Sequence, residues 1–292
     1  ELRDLAAGPL PGKSLVVLDP ERMLAVDLFA IEDGHAQERS ALDRVLARVG
    51  AKQLWIADRN FCTGRFLSGI AQRGASFVIR LHRGLVYQTQ GPWREIGMSP
   101  TGYVMERTVK LEDEQGQWLL LRLVRVSLKA KTRDGDEELV LLTNLPEADA
   151  DAIRVAHLYR QRWLLETAFL HLTQTLRCEI NSLGYPAAAL FGFAVALLSY
   201  NLLATVRAAL RAKYGQTKGD EEVSLYLLTD DIVGPYRGMP IPLPASFWKK
   251  RYRRIRAEEL AQELLALAES INFRRIQKAK RGPKKPPTPK TK

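Results

Sequence analysis

The first eighty residues alternate between short apolar runs and amphipathic stretches. Residues 14–19 (SLVVLD) and 23–29 (MLAVDLF) are apolar runs broken at Pro20, a pattern that predicts a β-hairpin. Within 37–49, Leu42, Val45, Leu46 and Val49 recur at helical spacing, so one helix is expected there. Residues 54–57 (LWIA) read as a buried strand, 63–73 as a helix and 76–81 as another strand. The order β-β-α-β-α-β predicts an α/β sheet with an antiparallel edge.

From 84 to 144 the pattern changes to runs rich in β-branched and aromatic residues, at 102–111, 118–128 and 138–143. The polar turns EDEQGQ and RDGDEE separate them, which predicts an antiparallel insert rather than a continued alternation. After Pro146 the chain turns helical, over 149–177 and again over 187–212. Residues 218–244 hold four prolines and read as loop, and 257–271 as a last helix. The Pro and Lys segment KAKRGPKKPPTPKTK is expected to be disordered, and no internal repeat is visible. The uncharged stretch 187–206 has about the length of a membrane span. Its alanine content and its cluster of Ser199, Tyr200, Asn201 and Thr205 predict instead a core helix buried on most sides.

Composition narrows the class. The 292 residues, 46% hydrophobic and 26% charged, suit a globular protein of two domains or of one α/β core with an insertion. They argue against collagen, a disulfide-rich toxin and a fully disordered chain. Cys62 and Cys178 are too few for a disulfide framework or a four-cysteine zinc site, and the four histidines stand at no ligand-like spacing. Two reduced, half-buried cysteines of a cytoplasmic protein are expected, and ELRDLAAGPLPGK lacks the character of a signal peptide.

The net charge of +11 is unevenly placed. Residues 249–292 carry 15 Lys and Arg against 4 Glu, whereas residues 1–248 carry 29 basic and 29 acidic side chains. A neutral body with a cationic end points to a polyanion, and nucleic acid is the first candidate; a solubilising tail is the plainer alternative.

Two constellations stand out chemically. Asp58 follows the strand LWIA and so sits at the C-terminal edge of a sheet, where α/β proteins place ligands. In HLYRQRWLLETAFLHL, Tyr159, Arg162 and Glu166 stand at i, i+3 and i+7, within roughly 60° of one another on a continuous helix. Val155, Leu158, Leu165, Phe169, Leu172 and Leu176 form the opposite, apolar stripe. The plainer account of the polar face is a solvated surface with an Arg162 to Glu166 ion pair worth a few tenths of a kcal/mol.

Together these residues resemble a family. IADRNF, a helix and then SFVIRLHRG are similar to the second-aspartate segment of DDE transposases of the insertion-sequence-four type. Tyr159, Arg162 and Glu166 resemble that family's signature of tyrosine, arginine and glutamate, and the strand insert lies where that family carries one. The resemblance implies a ribonuclease-H-like core with an antiparallel β insertion and a helical C-terminal region, acting on double-stranded DNA at element ends and target. Asp58 and Glu166 would be catalytic and would ligate Mg²⁺ or Mn²⁺, whose hard character suits carboxylates. Tyr159, Arg162 and Arg160 would hold DNA phosphate. A homodimer on DNA, a cytoplasmic and DNA-associated location and no membrane partner are implied.

Two departures accompany the resemblance. Seven residues after Glu166, where that family has a basic residue, stands Thr173, whose role toward phosphate Arg160 or Arg177 would take over. Only two strands precede the first helix, so Asp19 and Asp27 are read as belonging to strands two and three. The first strand and its aspartate are expected upstream, in a chain read as N-terminally truncated. The expected division is 10–83 and 84–146 for core and insert, 147–212 for the catalytic and core helices, 213–277 for the C-terminal part and 278–292 for the tail. Two rivals remain open: a non-catalytic DNA-binding transposase remnant, and a metal-dependent nuclease of the same fold outside transposition.

Overall fold

The computed structural model describes residues 12–132, 135–171, 185–233, 250 and 252–278. They fall into two compact units. The first comprises residues 1–20, 25–168 and 180–194; the second comprises 21–24, 169–179 and 195–292.

In the first unit, β1 (Lys13–Asp19) and β2 (Leu24–Ile31) form a sheet of their own. The chain continues through a 3-10 turn (Glu38–Ala41) into the short helix α1 (Leu42–Leu46), then β3 (Leu54–Ala57), α2 (Gly64–Gln72) and β4 (Ser76–Arg80). Thr63 caps α2 by accepting a hydrogen bond from the Phe66 amide at 3.3 Å. Four long strands follow, β5 (Gln88–Met98), β6 (Gly102–Glu112), β7 (Trp118–Leu128) and β8 (Glu138–Thr143). The six-stranded order is β3-β4-β8-β7-β6-β5, with β3 and β4 parallel and every other pair antiparallel.

Both faces of this sheet are covered, and strand periodicity decides which residue faces which side. Phe77, Ile79, Leu121, Leu123 and Leu142 join Phe29, Ile31 and the α1 and α2 side chains in one core. Val78, Val104, Val124, Val126 and Leu141 pack on the other side against α3 (Ala152–Arg160), through Ala152, Val155, Ala156 and Tyr159. Every residue of the helical pattern Leu42, Val45, Leu46 and Val49 is buried, as its periodicity requires. At the outer edge, Pro92 and two irregularities in β5 interrupt the ladder, features that disfavour edge-to-edge pairing.

Several expectations need correction. The hairpin forms as expected, but neither of its strands is hydrogen-bonded into the larger sheet among the described residues. Antiparallel strands fill 84–144 as expected; beyond that expectation, β8 pairs directly with β4 and carries the sheet onward, and β5 adds a strand that its polar, proline-containing sequence concealed. The helix expected over 37–49 is a 3-10 turn followed by five α-helical residues. The helix expected over 149–177 is broken: α3 ends at Arg160 and α4 (Trp163–Leu170) begins after a tight turn at Gln161 and Arg162. Three-residue hydrogen bonds, from the Arg162 amide to the Tyr159 carbonyl and from the Leu164 amide to the Gln161 carbonyl, close that turn. No proline or glycine marks it, so apolar spacing runs through it unbroken. Leu172, Thr173, Leu176, Arg177 and Cys178 lie outside the described residues.

Helix α5 (Pro186–Tyr214) is long and apolar enough to cross a membrane, with mean hydropathy 1.9 in its most apolar window, but one such helix is weak evidence of a span. It is not buried on most sides either: 33% of that window is buried, and Phe191, Val195, Leu198 and Leu202 are exposed. In the second unit, α6 (Leu225–Val233) occupies part of the expected loop, and α7 (Ala257–Ser270) matches the expected last helix. A final turn, α8 (Phe273–Ile276), joins Leu210, Val223, Leu228 and Ala268 in a core of its own. The prolines at 240–244 and the tail from Ala279 lie outside the described residues.

Candidate active site at the sheet edge

The parallel register sets up the site. Ala57 stands opposite Ile79, so the next residues along the two strands, Asp58 and Arg80, emerge side by side at the C-terminal edge of the sheet. Asp58 leaves the strand in an extended conformation, and its Oδ1 accepts a hydrogen bond from the Arg59 amide at 2.7 Å, capping the 3-10 turn Arg59–Phe61.

Tyr159 reaches this carboxylate from α3. Its hydroxyl donates to Asp58 Oδ1 at 3.4 Å, while its ring, 4% exposed, packs among Val78, Val104 and Val124. The phenol therefore does not belong to a solvated polar face, contrary to the helical-wheel expectation. Burial first, and the negative charge of Asp58 second, push its pKa well above the ordinary value. Tyr159 remains a protonated donor throughout the neutral range.

Arg162 occupies the turn between α3 and α4. Its guanidinium lies 5.9 Å from the Tyr159 ring centroid and 5.1 Å from that of Trp163, and Nη1 pairs with Glu166 Oε1 at 2.9 Å. Its Nε is buried without a hydrogen-bond partner. The i,i+4 ion pair expected from a solvated face is therefore present, with Arg162 23% exposed and Glu166 49% exposed. Asp58, Tyr159, Arg162 and Glu166 thus form one run of contacts, although the turn at Gln161 and Arg162 removes the continuous helix that a helical wheel presumes. Arg160 is exposed at the end of α3.

Two further residues were missed by sequence reasoning. Arg80 Nη2 pairs with Asp136 Oδ2 at 2.8 Å. Burial works against the Arg80 charge, but the Asp136 hydrogen bond and the carboxylates of Asp136 and Asp58 outweigh it and raise its pKa. The same hydrogen bond and charge lower the pKa of Asp136. Arg80 was legible as the last residue of a strand parallel to LWIA. Asp136 gave no signal, because the pairing of β8 with β4 brings it there.

Helix α3 is tied to the insert. Glu106, 2% exposed, takes Arg94 Nη2 on one oxygen and Arg122 Nη2 on the other, each at 2.6 Å. Arg122 also donates to the carbonyls of Leu145 and Ala150, at 2.9 and 2.7 Å, immediately before α3. Buried charge on the insert thus fixes the entry to the helix that carries Tyr159. Asp27, on β2, is engaged by Arg48 at 3.0 Å.

A divalent cation takes hard carboxylate oxygens, which Asp58 and Glu166 offer. Yet Asp58 is engaged by an amide and a phenol, Glu166 by a guanidinium, and among the described residues no three His, Cys, Asp or Glu side chains form a ligand group. The described residues do not by themselves fit a two-cation centre.

A family profile described as a transposase DDE domain matches residues 13–202, well over half of the chain. The match takes in Asp58, Tyr159, Arg162 and Glu166. Comparison with curated proteins gives no match.

Proposed function

Since the chain belongs to the transposase DDE-domain family, we propose that it is the catalytic region of a transposase of the insertion-sequence-four type, built on a ribonuclease-H-like core and acting in DNA cleavage and strand transfer at element ends. Asp58 and Glu166 serve as two of its acids, and Arg162 and Arg160 line the path of the DNA phosphates, whereas the buried Tyr159 does not reach it. The observation that carries this reading is the run of contacts from Asp58 through Tyr159 and Arg162 to Glu166. It groups residues of two separate motifs at one sheet edge.

In this reading Tyr159 holds the Asp58 carboxylate in place by donating a proton that it never loses near neutral pH. Arg162 exchanges Glu166 for a DNA phosphate, to which a planar guanidinium can donate two hydrogen bonds. That exchange frees the Glu166 carboxylate when DNA arrives.

Mg²⁺ or Mn²⁺ is the cofactor this family reading implies, and the two engaged carboxylates among the described residues are too few to hold it. The proposal includes a further strand bearing the first aspartate. Its support is topological: among the described residues β3 is an edge strand and neither hairpin strand pairs with the larger sheet, which leaves an edge for such a strand to join. The shortage of acids also favours the second reading, a DNA-binding remnant without catalysis. The core, insert, helical and tail divisions proposed from sequence, and a homodimer on DNA, belong to the same proposal.

Single-turnover cleavage of an element-end duplex with Mn²⁺ separates the readings. The chain, a version extended upstream and the Asp58→Asn and Glu166→Gln forms of each are compared. Cleavage by the extended form alone, lost by orders of magnitude in both variants, supports the catalytic reading. Binding without cleavage by either form supports the remnant.

A further inference from the structure

The insert carries a second cationic site on the sheet face opposite α3. The guanidinium carbons of Arg107 on β6 and Arg125 on β7 lie 4.4 and 4.6 Å from the ring centroid of Trp93 on β5. A bulge places the indole there. Gln90 pairs with Thr108 and Arg94 with Glu106, so Gly91, Pro92 and Trp93 stand opposite Arg107 alone. Gly91 makes this possible with φ of +79°, a conformation that disfavours any side chain.

What distinguishes these two arginines is their lack of an acid. Arg80 is paired with Asp136, and Arg94 and Arg122 with Glu106. Arg107 and Arg125 have no carboxylate partner among the described residues, and the Nε atom of each is buried without a hydrogen bond. Arg125 Nη2 reaches only the Met105 sulfur, at 3.0 Å, a weak acceptor. Glu95, two residues from Trp93, accepts instead from the Tyr103 hydroxyl at 2.9 Å. Two like charges sharing one indole repel each other. The cation–π contacts offset this only in part, whereas an anion would relieve it directly.

The position of the pair suggests which anion. Arg125 stands opposite Val140, and Leu141 opposite Arg80, so Arg125 lies one residue nearer the edge at which Asp58 emerges. Three strand spacings separate β7 from β3, roughly 14 Å within the sheet, and the pair faces the side opposite Tyr159, so DNA that meets both the pair and Asp58 passes around the sheet edge. We propose that Arg107 and Arg125, spaced by Trp93, grip the phosphodiester backbone of the DNA where it passes the sheet edge at which Asp58 emerges. This rests on the transposase reading, and it gives the β insert a DNA-positioning role of its own.

The test is duplex DNA binding by the whole chain as a function of salt. The double variant Arg107→Gln/Arg125→Gln should bind roughly tenfold more weakly at low salt, with the slope of log K against log salt reduced by about 1 to 2. A charge-matched control, Arg48→Gln/Arg65→Gln, should lose less. Modification of the unaltered chain with phenylglyoxal, mapped by mass spectrometry, covers the case in which the double variant misfolds. DNA should protect Arg107 and Arg125. Binding with an unchanged slope, or modification that DNA does not slow, overturns the proposal and leaves a purely structural stack. Failure of the unaltered chain to bind DNA at all overturns the transposase reading with it.

Discussion

The Tyr159 hydroxyl donates to the Asp58 carboxylate at 3.4 Å across 101 residues of sequence, joining the end of a parallel strand to a helix on the far side of the insert. The phenol is held protonated by burial and by the carboxylate it serves. Folded protein therefore keeps this proton at pH values where the unfolded chain has lost it.

That difference fixes the sign of a pH effect. The group's contribution is fully present below the unfolded tyrosine pKa of about 10 and declines as pH rises above it toward the higher folded value. Tyr159→Phe should flatten the alkaline loss of stability and cost about 1 kcal/mol at neutral pH, read by urea denaturation at several pH values. A parallel alkaline limb in both proteins would refute the assignment.

Asp136 behaves in the opposite sense. Its pKa is lowered by Arg80, so its contribution is present above the unfolded value of about 4 and is lost as pH falls through the lower folded one. Asp136→Asn should be less stable than the parent at pH 7, and the gap should close in acid. Thermal melts across pH 2 to 7 report it.

Glu106→Ala should be the most damaging of these substitutions. It leaves Arg122, 13% exposed, as an uncompensated buried charge, and it loosens the attachment at Leu145 and Ala150. A loss of about 3 to 5 kcal/mol is expected by denaturant titration. Hydrogen exchange should speed up first at the start of α3.

Deleting residues 279–292 removes six Lys and Arg but spares Lys278, whose amide and Nζ donate to the Glu222 and Glu221 carbonyls. Affinity for any duplex should fall, and the salt slope should decrease by about 0.9 for each phosphate that the shortened chain no longer neutralises. An unchanged slope in a binding titration would make the tail a solubilising segment.

Arg162→Gln should also weaken DNA binding, with a slope change of about 1, while leaving Glu166 freely solvated. Fluorescence anisotropy at several salt concentrations measures it. No change would assign Arg162 solely to its ion pair with Glu166.

By itself the sequence determined what is local. Alternation and apolar runs located β1 to β4, and helical spacing located α2 and α7 almost to the residue, because each element buries a face whose period is written in consecutive side chains. The strand LWIA and the residue after it were enough to put Asp58 at a sheet edge. Strand β5 was hidden by Pro92 and its polar residues, and the turn at Gln161 and Arg162 by the lack of any breaking residue. Tertiary structure alone decided that Tyr159 is buried rather than solvated, because the apolar cluster that holds its ring draws on strands as distant in sequence as β3, through Ile56. It alone joined Arg80 to Asp136, Arg122 to the start of α3, and Trp93 to two arginines on different strands. Pairing of distant strands is set by the register of whole ladders, and no stretch of neighbouring residues records it.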